Sequence, residues 1–271
     1  MSLPVEIEIE GLSKAFGEHR VLTGIDLRID RGDIVAIVGG SGCGKTVLLN
    51  HILGQLKPDS GRIRVADYNV SGAPLVDLAD IDARELDAIH THWGVVFQRN
   101  ALFSGSVYAN FALWLGEVRN LTDDEIEPIA RAALNAVSLP ADDEFMESDV
   151  DSLSGGMAKR LAIARALSMD PNVIFYDEPT TGLDPASAAQ VQDLIYATHI
   201  DTATSQAKRT TLIITHDKDL LVRLAPRVVM LHEGLVHFDG PYADFEAATS
   251  PVIRPYFDLM PALHRRVRSA G

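Results

Sequence analysis

Lys45 stands last but one in the run Gly39-Gly40-Ser41-Gly42-Cys43-Gly44-Lys45-Thr46, which fits the pattern Gly-x-x-x-x-Gly-Lys-Ser/Thr. Glycines let a backbone curl until several N–H groups face an anion, and the positive end of a following helix adds to the field. Lys45 would then reach the terminal phosphates of a nucleotide, and the Thr46 hydroxyl would ligate Mg²⁺. Asp177 and Glu178 stand side by side after the apolar run Val173-Ile174-Phe175-Tyr176. Beside a phosphate loop, Asp177 would support Mg²⁺ and Glu178 would polarise an attacking water as general base. His216 follows another apolar run, Thr211-Leu212-Ile213-Ile214-Thr215, where it is placed to sense a γ-phosphate. Gln98 ends Trp93-Gly94-Val95-Val96-Phe97-Gln98 and gains its weight from lying between the phosphate loop and the segment Leu153-Ser154-Gly155-Gly156-Met157. Cys43 is the only cysteine, so no intramolecular disulfide forms.

These groups need strands that release them at one edge of a sheet. The apolar run Ile34-Val35-Ala36-Ile37-Val38 precedes the loop, and a helical stretch, Val47 to Leu56, follows it. Alternation near Val5–Ile9 and Ile25–Ile29 predicts half-buried strands in a β-rich first part. Between Phe103 and Met169 the pattern turns helical, with a capped start at Leu121-Thr122-Asp123-Asp124-Glu125. Phe103, Val107, Phe111 and Trp114 read as core positions, near a seat for a partner's helix. Ser154 and its glycines precede a predicted helix, Ala158 to Met169, whose N-terminus suits an anion.

Together these motifs, in this order, resemble the nucleotide-binding cassette of ABC ATPases over about residues 5–245. The resemblance implies an α/β P-loop NTPase fold with a RecA-like core, an antiparallel β subdomain and a helical subdomain at about 100–169. Residues 246–271 would form a C-terminal tail. It implies ATP and Mg²⁺ as cofactors, with Phe16 stacking on adenine, Gln98 sensing Mg²⁺ and the membrane partner, and Asp184 of Gly182-Leu183-Asp184 crossing a dimer interface. Two copies would close head-to-tail, so that Ser154, Gly155 and Gly156 of one meet the γ-phosphate held by Lys45 of the other.

Met157 stands where most cassettes have glutamine, and Val47 replaces the usual hydroxyl residue after Thr46. With Asn100-Ala101-Leu102-Phe103 and the tail Ser250-Pro251-Val252-Ile253-Arg254-Pro255-Tyr256-Phe257, these departures look like the ATPase of Mla-type lipid transporters. That likeness implies membrane permease subunits and an MCE-domain lipid-binding protein as partners, and phospholipid movement between bacterial inner and outer membranes. The alternatives are a cassette importing polar amino acids or another solute and, more remotely, a soluble non-transport ABC ATPase.

At 271 residues and 46% hydrophobic, the chain is long enough for a large core or two joined subdomains. Its apolar runs are too short for a membrane span, and no secretory pattern opens the sequence. A place at the cytoplasmic face of an inner membrane, held there by partners, is expected. A net charge of −14 argues against a nucleic-acid partner, because phosphate backbones demand Lys/Arg stripes. Within this acidic chain the tail carries Arg254, Arg265, Arg266 and Arg268. It reads either as a solvated end or as an arm whose Tyr256, Phe257, Leu259 and Met260 pack on a partner cassette.

Overall fold

The computed structural model describes residues 3–200 and 209–260. Two sheets make up the first layer pair. β1 (Val5–Phe16) and β2 (His19–Asp30) form an antiparallel hairpin, joined later by β4 (Ser60–Ala66) and β5 (Leu75–Asp77) in the order β2-β1-β4-β5. Both hairpin strands run further than the sequence alternation predicts. The register shifts between Ile9 and Leu12, and the left-handed Gly11 and Gly24 carry the strands past the point where alternation breaks.

The second sheet holds β3 (Ile34–Val38), β6 (Trp93–Val96), β7 (Val173–Asp177), β8 (Thr210–Ile214), β9 (Arg227–His232) and β10 (Leu235–Pro241). Its order is β10-β9-β3-β8-β7-β6, parallel throughout except for the β9–β10 hairpin. Its central strands are covered on both faces and are buried almost residue for residue.

Helix α1 (Lys45–Ile52) follows the phosphate loop, and α2 (Ala83–His90) precedes β6. The helical part consists of α3 (Val107–Arg119), α4 (Asp123–Ala136), α5 (Asp143–Glu147) and α6 (Gly155–Leu167). At the start of α4, Glu125 reaches back to the Thr122 N–H at 2.9 Å, as the sequence predicts. α7 (Pro185–Ile200) and α8 (Lys218–Leu224) flank the parallel sheet. α9 (Tyr242–Ala247) and α10 (Ile253–Leu259) end the described chain. No helix among the described residues is long and apolar enough to cross a membrane.

One core lies between the two sheets around α1, a second fills the helical part down to the parallel sheet, and a third sits under α9 and α10. Ile253, Phe257 and Met260 are buried in this last cluster, on the chain's own cassette. Leu259 is 84% exposed, and Arg254 pairs with Asp258. Arg265, Arg266 and Arg268 lie outside the described residues.

Candidate functional site

Strand register gathers the chemistry. Ile37 of β3 sits opposite Ile214 of β8, and Ile214 sits opposite Asp177 of β7. One row of the sheet therefore releases the phosphate loop, Thr215-His216 and Glu178 at the same carboxyl edge. Ligands of open parallel sheets bind at such an edge.

The loop's shape depends on glycine at two points. Gly39 has φ 147, and a Cβ there would lie 2.4 Å from the Leu231 carbonyl oxygen. Gly44, at φ 102, caps α1, and a Cβ would lie 2.7 Å from a Leu22 methyl. That contact sets Leu22 of β2 against the start of α1. Phe16, the last residue of β1, is 49% exposed, with Lys14 Nζ 5.7 Å from its ring centre, and does not line the cavity that Lys45 shares with Glu178 and His216. α1 starts at Lys45 and has no acid in its first turn, so its positive end is not neutralised by its own side chains. Lys45 Nζ donates to the carbonyls of Gly39 (2.8 Å) and Gly40 (3.1 Å), oxygens that a phosphate would replace.

Gly39, Gly40, Ser41, Lys45, Glu178 and His216 line one cavity of about 450 Å³, together with Tyr256, Leu259 and Met260. Glu178 adopts φ 47, a left-handed backbone that costs a non-glycine residue roughly 1–2 kcal/mol. Such strain is held where the surroundings demand it. Here its N–H binds the Ile214 carbonyl at 2.9 Å and its carboxylate accepts from Thr181 at 3.2 Å. His216 Nδ1 stands 2.7 Å from Glu178 Oε2. A carboxylate only accepts, so the ring proton sits on Nδ1.

His216 is fixed by its neighbour. Asp217, 3% exposed, accepts from Thr180 and Gln192 at 2.8 Å each and caps α8. In the sequence the only local signal of Asp217 is its place just ahead of a helix.

Asp177 is pushed above the ordinary carboxylate value by burial, then by Glu178, against the opposing pull of Lys45 and Lys159. Thr46 and Asp177 carry hard oxygen donors of the kind that a divalent cation would take. With its folded value above the ordinary 3.8, Asp177 holds its proton longer in the native chain than in the unfolded one. It therefore subtracts stability as pH rises through that window, and fully above it. Asp177→Asn is expected to raise the nucleotide-free melting temperature at neutral pH by about 2 °C, a modest rise because solvent screens the site. Calorimetry giving an equal or lower midpoint would show that the carboxylate sits there without cost.

Gln98, Ser154, Gly155, Gly156 and Asp184 are not among the residues that line this cavity. Gln98 is exposed and does not line the cavity; its carbonyl, with that of Phe97, accepts from Lys159 Nζ at 2.9 Å. Ser154 caps α6, which begins at Gly155 rather than Ala158, and Ser154 and Gly155 are exposed. Gly156 packs so closely on α7 that a Cβ would lie 2.4 Å from Ser187 Oγ. Asp184 caps α7 through the Ala186 and Ser187 N–H groups. Val107 and Phe111 are core residues as read, whereas Phe103 is 42% and Trp114 38% exposed.

A parallel sheet that delivers a glycine-rich loop with its lysine, and a carboxylate, to one cavity defines the P-loop class of nucleotide hydrolases. Residues 22–181 match the family described as ABC transporter. The chain belongs to that family and is an ATPase. It is 34% identical to the probable ribonucleotide transport ATP-binding protein mkl of Mycobacterium leprae, over 95% of this chain and 70% of that one. To the histidine transport ATP-binding protein HisP of Pseudomonas aeruginosa it is 33% identical, over 92% and 96%. To the intermembrane phospholipid transport system ATP-binding protein MlaF of Haemophilus influenzae it is 33% identical, over 86% and 83%. Among solved structures, cbiO1 of Clostridium perfringens, part of the ABC transporter complex cbiONQ, has a TM-score of 0.73 at 31% identity, over 90% and 91%. The dimeric post-hydrolysis cassette MJ0796, bound to ADP and Pi, has a TM-score of 0.73 at 27% identity, over 87% and 98%.

Proposed function

We propose that two copies of this chain form a head-to-tail ATP sandwich that drives a membrane transporter of the Mla type, moving phospholipid between inner and outer membranes. The observation that carries the reading is the division of the site. Lys45, Glu178 and His216 share a cavity, while Ser154 and Gly155 face solvent and do not line it. A second copy that brings Ser154 to the cavity would complete the site. Thr46, Asp177 and Gln98 would hold Mg²⁺ in the sandwich, where the ion would supply positive charge to offset that on the transferring phosphoryl group. Phe16 receives the adenine, and Asp184 lies at the subunit boundary.

The permease docks at an apolar hollow of about 350 Å³ lined by Trp93, Phe97, Phe103, Trp114 and Arg165. Phe103, in the loop before α3, and Trp114, on α3 itself, are exposed while Phe111 of the same helix is core, which fits a partner contact better than a solvated surface. The chain then sits peripherally on the cytoplasmic face of the inner membrane. Likeness to MlaF, with Met157, Val47 and Asn100–Phe103, favours phospholipid; likeness to HisP favours a polar amino acid importer as the second reading.

Isolation of the native complex from membranes tests this. Permease subunits, an MCE-domain protein and bound phospholipid are expected. A solute-binding protein without an MCE partner would replace the lipid reading by the importer one. Ribosomes or DNA as the recovered partner would end both.

A further inference from the structure

The hydrolytic cavity contains a residue that none of the nucleotide motifs includes. Tyr256 of α10 accepts the Gly39 N–H on its Oη at 3.0 Å. Its ring lines the same cavity as Lys45, Glu178 and His216. The helix is firmly seated: the Phe257 ring packs edge-on against Phe245 at 5.8 Å, and Lys218 Nζ lies 3.8 Å from the Phe257 ring centre. A phenol has one proton to donate as well as lone pairs to accept with. Gly39 occupies a lone pair, and the hydroxyl proton has no acceptor among the described residues. The open direction is the cavity.

We propose that Tyr256 is a further catalytic residue of ATP hydrolysis, its hydroxyl aligned by the Gly39 N–H and donating a hydrogen bond to a γ-phosphoryl oxygen as charge builds there. Preorganised donors aimed at developing charge are a large source of catalysis. The inference rests on the reading of this cavity as the γ-phosphate end with Glu178 as base. In the step, the water oxygen bonds to the γ-phosphorus, the bond to the β–γ bridging oxygen breaks, and the water proton passes to Glu178. Tyr256 keeps its own proton throughout. Burial, opposed by the Gly39 bond and reinforced by Cys43 and Glu178, pushes the phenol up to about 12, so it remains a donor at working pH.

Tyr256→Phe removes one oxygen and keeps the ring. The expected result is a kcat lower by about tenfold, the scale of one lost hydrogen bond to a charged group. ATP affinity, KM and melting temperature should be unchanged, and trapping by ADP with orthovanadate should weaken in step with kcat. Wild-type turnover in the variant would overturn the proposal. So would a loss of ATP affinity that accounts for the slower rate, because Tyr256 would then only brace the loop. Glu178→Gln run in parallel separates the two layers. If that variant hydrolyses ATP normally, the assignment of the cavity fails; if it is slow while Tyr256→Phe is fast, only the tyrosine proposal fails.

Discussion

Glu178→Gln is expected to slow ATP turnover by roughly 10²–10³-fold while the chain still binds ATP, so that an ATP-loaded dimer accumulates. The substitution isolates chemistry from structure. Glutamine has the same shape, so Thr181 and the His216 Nδ1 proton still find an oxygen where Glu178 Oε2 now stands. The left-handed backbone at residue 178 and its bond to Ile214 do not involve the side chain. What disappears is the basic carboxylate and its repulsion of Asp177, one of the causes that push that group up. Cation and nucleotide binding should therefore hold or improve as hydrolysis stops. Phosphate release under steady state, read beside ATP-dependent elution on a sizing column, checks both halves. Near-normal release would remove Glu178 from the role of base.

The site is legible in sequence where its parts are local. Gly39 to Thr46 is one contiguous loop between a strand and a helix, and Asp177-Glu178 and His216 each end a β-branched or apolar run. Their convergence follows from a parallel sheet, whose strands all release their ends at one edge. Residues with distant partners are not legible in this way. Lys159 is 61 and 62 positions from the carbonyls it binds, and Tyr256 is 217 positions from Gly39. Neither spacing leaves a periodic trace. α3 illustrates a different limit. Its apolar residues cover more than one face, so periodicity cannot separate Phe111, which is core, from Trp114, which is half outside. Gln98, Ser154 and Asp184 are recognisable by their motifs, yet one chain alone does not bring their side chains to the cavity. In the proposed sandwich their chemistry belongs to the assembly.

Lys159 is where the largest effect without contact to nucleotide is expected. Its ammonium is buried, at 2% exposure, and joins the helix that begins at Gly155 to the Phe97 and Gln98 carbonyls. Burial depresses it from 10.5 to about 8, with Asp177 pulling the other way. A charge held at such cost gives little net stability, because the desolvation penalty offsets its hydrogen bonds. Its worth lies in position: it ties the Ser154 segment to the strand end that carries Gln98, so one cannot shift without the other. Lys159→Met keeps the stem and cuts the tie. Turnover is expected to fall by about 10²-fold, the scale of a catalytic group misplaced by an ångström, with only a small change in melting temperature near neutral pH. The pH dependence has a definite sign. Between about 8 and 10.5 the unfolded chain binds the proton that the folded one releases. Wild-type stability therefore gains on Lys159→Met as pH rises through that window, and the burial cost is fully present below it. Phosphate release assays and melting curves of the two proteins from pH 7 to 10.5 read both effects. A variant that hydrolyses ATP at the wild-type rate would mean that the two segments are aligned by other contacts, and a stability gap unmoved by pH would mean that the ammonium pays nothing for its burial.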